Sequence, residues 1–116
     1  MSNTWSFRQP SIGDLRCRVT IQRQERVSDG RGGWRTEWVD AGSCWAAISA
    51  LRPYERILAQ QTQAAATHQV VIRYRTDLTA AMRLVHNGRY LYLQGPPVDP
   101  DGRRRWLQIL CEERAE

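Results

Sequence analysis

Few side chains in this sequence have both the type and the company needed for chemistry. Cys17, Cys44 and Cys111 are odd in number, far apart and set inside strand-like stretches, without the CxxC spacing of a zinc or redox site. They predict buried thiols in a reducing compartment. His68 opens an alternating stretch and His86 stands beside a turn, and neither has a neighbouring motif that would make it a base or a metal ligand. Asp99 and Asp101 could hold a cation, but DPDG is first a turn sequence, and a calcium loop needs several more oxygen ligands. The glycines of SDGRGG (28 to 33) lack the GK[ST] and the strand-to-helix setting of a phosphate cradle. Turn geometry accounts for them. The inventory predicts no enzyme, no metal and no cofactor.

The elements that carry these residues read mostly as strands. In RCRVTIQRQ, Cys17, Val19 and Ile21 alternate with Arg16, Arg18, Thr20 and Gln22, the pattern of a strand with one wet face. WRTEWVD (34 to 40) reads as its return across the glycine loop, and SCWAAISAL (43 to 51) as a further apolar, β-compatible segment. RPYERILAQQTQAAA (52 to 66) breaks the pattern. Pro53 suits a first helical turn, Glu55 suits the positive end of the helix dipole, and Tyr54, Ile57, Leu58 and Gln61 recur at helical spacing. A short helix or a mobile loop fits this stretch. Strand 67 to 75 then turns His68, Val70, Ile72 and Tyr74 inward, and WLQILCEE (106 to 113) offers Leu107, Ile109 and Cys111 to a core, with Trp106 and Leu110 opposite.

The register of one hairpin can be counted directly. If Asn87 and Gly88 form a two-residue type I′ turn, His86 faces Arg89, Val85 faces Tyr90, Leu84 faces Leu91, Arg83 faces Tyr92 and Met82 faces Leu93. One face then holds Met82, Leu84, Leu91 and Leu93, a core, and the other Arg83, Val85, Tyr90 and Tyr92. About six strands at short spacing, with DG and NG turns, predict a mainly β fold: a small antiparallel barrel or sandwich with one inserted short helix or long loop. Residues 1 to 13 read as a flexible arm and 14 to 116 as a single domain.

At 116 residues, the chain should bury roughly 65% of its unfolded surface on folding. All 17 basic residues are arginine, the net charge is +5 and the pI is near 9.7. Such a balance permits contact with DNA or with an acidic protein, although interspersed acids also suit a solvated basic surface. No apolar run approaches a membrane span, and the polar MSNTWSFRQPSIGD start lacks a signal-peptide core, so the protein is expected to be cytoplasmic where it is made. Arginine recurs beside aromatics: Arg83 with Tyr90 and Tyr92, Arg73 with Arg75, Arg103, Arg104 and Arg105 with Trp106, and Trp34 and Trp38 around Arg35. These are interface residue types, and they could also stack on and neutralise nucleic acid.

Six segments in order, IGDLRCRVTIQRQ, DGRGGWRTEW, CWAAISAL, PYERILAQQTQAAATHQVVIRYR, LTAAMRLVHNGRYLYLQGP and DPDGRRRWLQILCEE, resemble the head-tail joining proteins of tailed bacteriophages, also called head-tail adaptor, head-closure or stopper proteins. The resemblance spans about residues 12 to 113. It implies a β-barrel protomer that assembles as a ring with itself between the portal or adaptor and a tail terminator or other tail protein. The ring would surround the path of the packaged double-stranded DNA, close the filled head and offer the tail a docking surface. The protein would reside in the virion, after assembly in the host cytoplasm. It further implies a channel loop, which by position is 52 to 66, with Arg52, Pro53, Tyr54, Glu55, Arg56, Gln60, Gln61 and Gln63 as candidates. A ring built by rotation needs two different sticky faces, which the 82 to 94 hairpin and Trp34 with Trp38 are expected to supply. A tail-completion protein of the same neck, its counterpart in a gene-transfer particle, and an OB-like nucleic-acid-binding module are the alternatives.

Overall fold

The computed structural model describes residues 12–59 and 66–115. A 3-10 turn at Ile12–Asp14 leads into six strands, β1 (Cys17–Ser28), β2 (Trp34–Ala50), β3 (His68–Arg73), β4 (Arg83–His86), β5 (Arg89–Leu93) and β6 (Trp106–Arg114), with one helix, α1 (Pro53–Ala59), between β2 and β3. All neighbours are antiparallel in the order β1-β2-β3-β6-β5-β4, and β4 pairs back with β1, so the sheet closes into a barrel. Closure leaves the barrel wall without a free edge.

The barrel fills with one parity of each strand. Val19, Ile21, Val70, Ile72, Leu84, Leu91, Ile109 and Cys111 are fully buried and pack in one cluster with Ala46, Leu93 and Leu107. The β4–β5 register follows the Asn-Gly turn, from His86 with Arg89 out to Arg83 with Tyr92. Both turn residues have positive φ, 50° at Asn87 and 77° at Gly88, as a type I′ turn requires. Beyond the last ladder pair, the Leu93 N–H donates to the Met82 carbonyl at 3.3 Å.

Three expectations change. Segments 34–40 and 43–51 are a single 17-residue strand, β2, carried past Gly42 by a bulge at which Ile21 faces Gly42 but Gln22 faces Asp40. The extra residue is absorbed where glycine adopts φ 143°, a value closed to most side chains. The outer face of β6 is covered: Trp106 packs with Leu15 and Val71, and Leu110 with Leu51 and Ala66. And the helical spacing of Tyr54 and Ile57 in α1 does not mark a buried face, since they are 53% and 63% exposed. The helix starts as its sequence suggests, with the Arg52 N–H donating to the Glu55 carboxylate at 2.8 Å and the Arg56 N–H to the Arg52 carbonyl. Most of the arm at residues 1–13 lies outside the described residues, as do Gln60, Gln61 and Gln63.

The β1–β2 hairpin outruns the barrel. β4 pairs with β1 only as far as Gln22, and β3 pairs with β2 only from Ala46 onward. Arg23–Ser28 and Trp34–Val39 therefore pair with each other alone among the described residues. Six residues of strand reach about 20 Å, and the molecule measures 53 × 29 × 26 Å.

Candidate functional site

Strand direction gives the barrel two different ends. At one, the free ribbon projects beside the end of β3 and the start of β6, where Arg73 faces Trp106 and the Tyr74 N–H donates to the Arg105 carbonyl. At the other, α1 meets the Asn87-Gly88 turn and the end of β6 around a cleft of about 400 Å³ lined by Arg56, Thr67, His68, Gly88, Arg89 and Glu113.

Alternation fixes the ribbon's faces. Arg23, Glu25, Arg35 and Glu37 share one side, where Arg23 pairs with Glu25 at 3.0 Å and Arg35 with Glu37 at 2.7 Å. Gln24, Arg26, Trp34, Thr36 and Trp38 share the other, and the Arg26 guanidinium lies 5.0 Å from the Trp34 ring centre. Trp34 is 62% exposed. Trp38 is half-buried and continues the aromatic face onto the barrel wall through an edge contact with Tyr92, 5.9 Å between ring centres. At the tip, the Asp29 carboxylate accepts the N–H groups of Arg31 and Gly33, and a side chain on Gly33 would strike Asp29 at 2.8 Å.

Arg83 is not on the contact surface that its sequence neighbours suggested. It is 3% exposed. Its Nε donates to Gln22 Oε1 at 2.7 Å and its Nη1 to the Tyr92 hydroxyl at 2.8 Å, while its guanidinium lies 4.3 Å from the ring centres of both Trp38 and Tyr90. Strands β1, β2, β4 and β5 meet on this one side chain, at the root of the ribbon. Tyr90 and Tyr92 are half-buried around it, and Arg114 covers Tyr92. Trp106, also expected at a contact surface, is 6% exposed beneath Arg73, whose guanidinium lies 5.5 Å from its ring.

The remaining arginines divide. Arg75 is held by Asp77 through two bonds of 2.9 and 2.8 Å, which keep the Asp77 carboxyl below its ordinary range. In the turn before β6, Asp99 accepts the N–H groups of Gly102 and Arg104, and Asp101 binds the Arg103 N–H and the Arg105 guanidinium. Those carboxylates organise the turn. Arg103 and Arg104 are exposed. Of the channel candidates, Arg52, Pro53, Tyr54 and Arg56 are exposed and Glu55 caps the helix.

At the helix end, Arg89 grips Glu113 through two bonds of 3.0 and 2.7 Å and holds that carboxyl below its usual range. Burial pushes the His68 imidazole down, against the upward pull of Glu113. His68 bonds the Thr67 hydroxyl at 2.8 Å, a structural setting. Burial raises the Cys44 thiol and takes Cys111 up to about 12, so neither is an activated nucleophile. Among the described residues no group of His, Cys, Asp and Glu is arranged to hold a metal, and no helix is long and apolar enough to cross a membrane. Sequence reading missed Trp45, 51% exposed under Arg18 on the outer wall. Its alternation with Cys44 and Ala46 was the available signal.

A closed β-barrel with a free ribbon, whose polar chemistry lies in arginine-aromatic surfaces, defines a small module suited to contact. The family model for phage head completion proteins matches residues 10–114, and the chain belongs to that family. It is 27% identical over 95 residues to head completion protein gp16 of Bacillus phage SPP1, covering 82% of this chain and 87% of that one. Its fold is similar to the solution structure of protein SF1141 from Shigella flexneri 2a, with a TM-score of 0.76, 36% identity, and 92% and 99% of the two chains covered. A chain in the virion of a native gene transfer agent particle shares the fold at a TM-score of 0.64 and 20% identity, over 93% of this chain and all of that one.

Proposed function

We propose that this phage structural protein forms a homo-oligomeric ring in the virion neck, between the portal or adaptor and the tail proteins. There it closes the DNA-filled head and offers the surface to which the tail attaches. The role is architectural rather than enzymatic. The observation that carries this reading is the ribbon of residues 23–39, whose two strands have no other partner among the described residues. An isolated two-stranded ribbon is marginal in water, and its open edges and aromatic face are suited to a neighbour. The chain's membership of the head completion family supports the place of that neighbour in the neck.

Because Trp38 is packed against Tyr92, the better test of contact is at Trp34 and Trp45, which are exposed. Trp34→Glu with Trp45→Glu should leave a folded monomer that fails to form rings on portal-bearing heads, read by electron microscopy. Complete rings from the double variant would refute the assignment. Residues 52–66 are the proposed channel segment. Their deletion should give heads that still acquire the ring but lose packaged DNA, and normal retention would count against a gating role.

A further inference from the structure

We propose that the cleft between Arg73, Tyr74, Arg104, Arg105 and Trp106 binds phosphate groups of the backbone of double-stranded DNA. The cleft holds about 250 Å³ at the ribbon end of the barrel, room for a phosphodiester but not for a base pair. The Arg73 guanidinium lies 5.5 Å from the ring centre of Trp106, which places a cation at the cleft wall. Trp106, which lines the cleft, also has its indole N–H buried with no acceptor among the described residues.

Arg104 strengthens the assignment. It sits at φ 58°, a conformation that favours glycine or asparagine, and Asp99 holds it there through its N–H at 2.9 Å. Its exposed guanidinium has no ion pair among the described residues, and Arg103 beside it has none either.

Charge complementarity argues for a nucleic acid over a second copy of the chain. Glu25, Glu37, Asp77, Asp101, Glu112 and Glu113 are each matched by an arginine of the same molecule. Asp29, Asp40, Glu55 and Asp99 are bonded to backbone N–H groups or to Gln22. Another protomer therefore has few open carboxylates to offer these arginines, whereas DNA presents phosphates at regular spacing.

This inference rests on the neck reading for the presence of DNA, and it is tested separately from ring formation. A short DNA duplex titrated into the isotope-labelled protein at low salt should shift the Trp106 indole and the amides of residues 103–105. Arg104→Gly suits the left-handed backbone, so it should stay folded and yet bind about tenfold more weakly, with a salt dependence lower by about one phosphate contact. Arg73→Gln should act likewise. Retention of this binding by a protein that never forms rings would leave the cleft assigned and remove the ring. No shift at low salt, shifts centred on Arg56 and Arg89, or equal binding of a polyglutamate peptide would each overturn the proposal.

Discussion

Replacing Arg83 by methionine tests the claim that one buried guanidinium joins the ribbon to the barrel. Methionine keeps much of the length and the apolar stem but removes the hydrogen bonds to Gln22 and to the Tyr92 hydroxyl. A bond from a charged donor contributes about 1.5 kcal/mol or more. The stacks on Trp38 and Tyr90, each at 4.3 Å, add about 1 kcal/mol apiece. Against that sum of about 5 kcal/mol, a neutral side chain no longer has to be desolvated as a cation, which returns about 2 kcal/mol. The expected loss is about 3 kcal/mol. For a chain of 116 residues, whose unfolding entropy is about 0.24 kcal/mol per degree, it would appear as a Tm lower by about 12 °C. Urea titration measures the free energy, and amide exchange tells where it is lost: residues 23–39 should exchange faster than β3 and β6. A change below about 0.5 kcal/mol, or ribbon amides protected as before, would refute the coupling.

Further outcomes follow from the same geometry. Gly88→Ala meets no atom within 4 Å but must hold φ 77°, so it should cost about 1 to 2 kcal/mol in chemical denaturation through backbone strain alone. Ile109→Ala, at the centre of the barrel, should cost about 2 to 5 kcal/mol by the same measurement. His68 is lowered by burial, and Asp77 and Glu113 by their arginine bonds, so each binds protons more readily in the unfolded chain. Their contributions are complete above the ordinary values of 6.5, 3.8 and 4.5 and are lost as pH falls through the lower folded values, so thermal scans should show stability declining from near pH 6.5 toward acid. At the other limb, Cys111 contributes fully below 9.0, and that contribution fades as pH rises to about 12. Its thiol should resist alkylation by iodoacetamide until the protein unfolds.

Much of the barrel was legible in the sequence because strand alternation and turn chemistry are local. The Asn87-Gly88 pair defined a register out to Arg83 and Tyr92, the odd positions of β1 and β6 marked their inner faces, and Glu55 marked a helix start. Which of the candidate contact residues reach the surface was legible only in part. Trp34, Arg73, Arg103 and Arg104 are exposed, whereas Arg83 and Trp106 are buried.

The sequence by itself determined which residues share a face, since parity within a strand follows from backbone geometry alone. Tertiary structure decided which faces meet water. Leu15 reaches Trp106 across more than half of the chain, Leu51 and Ala66 cover Leu110, and Gln22 and Trp38 arrive from two other strands to enclose Arg83. The ribbon has the same origin. Nothing within 17–50 tells how far β3 and β4 will run, and where they stop the β1–β2 hairpin is left to stand alone.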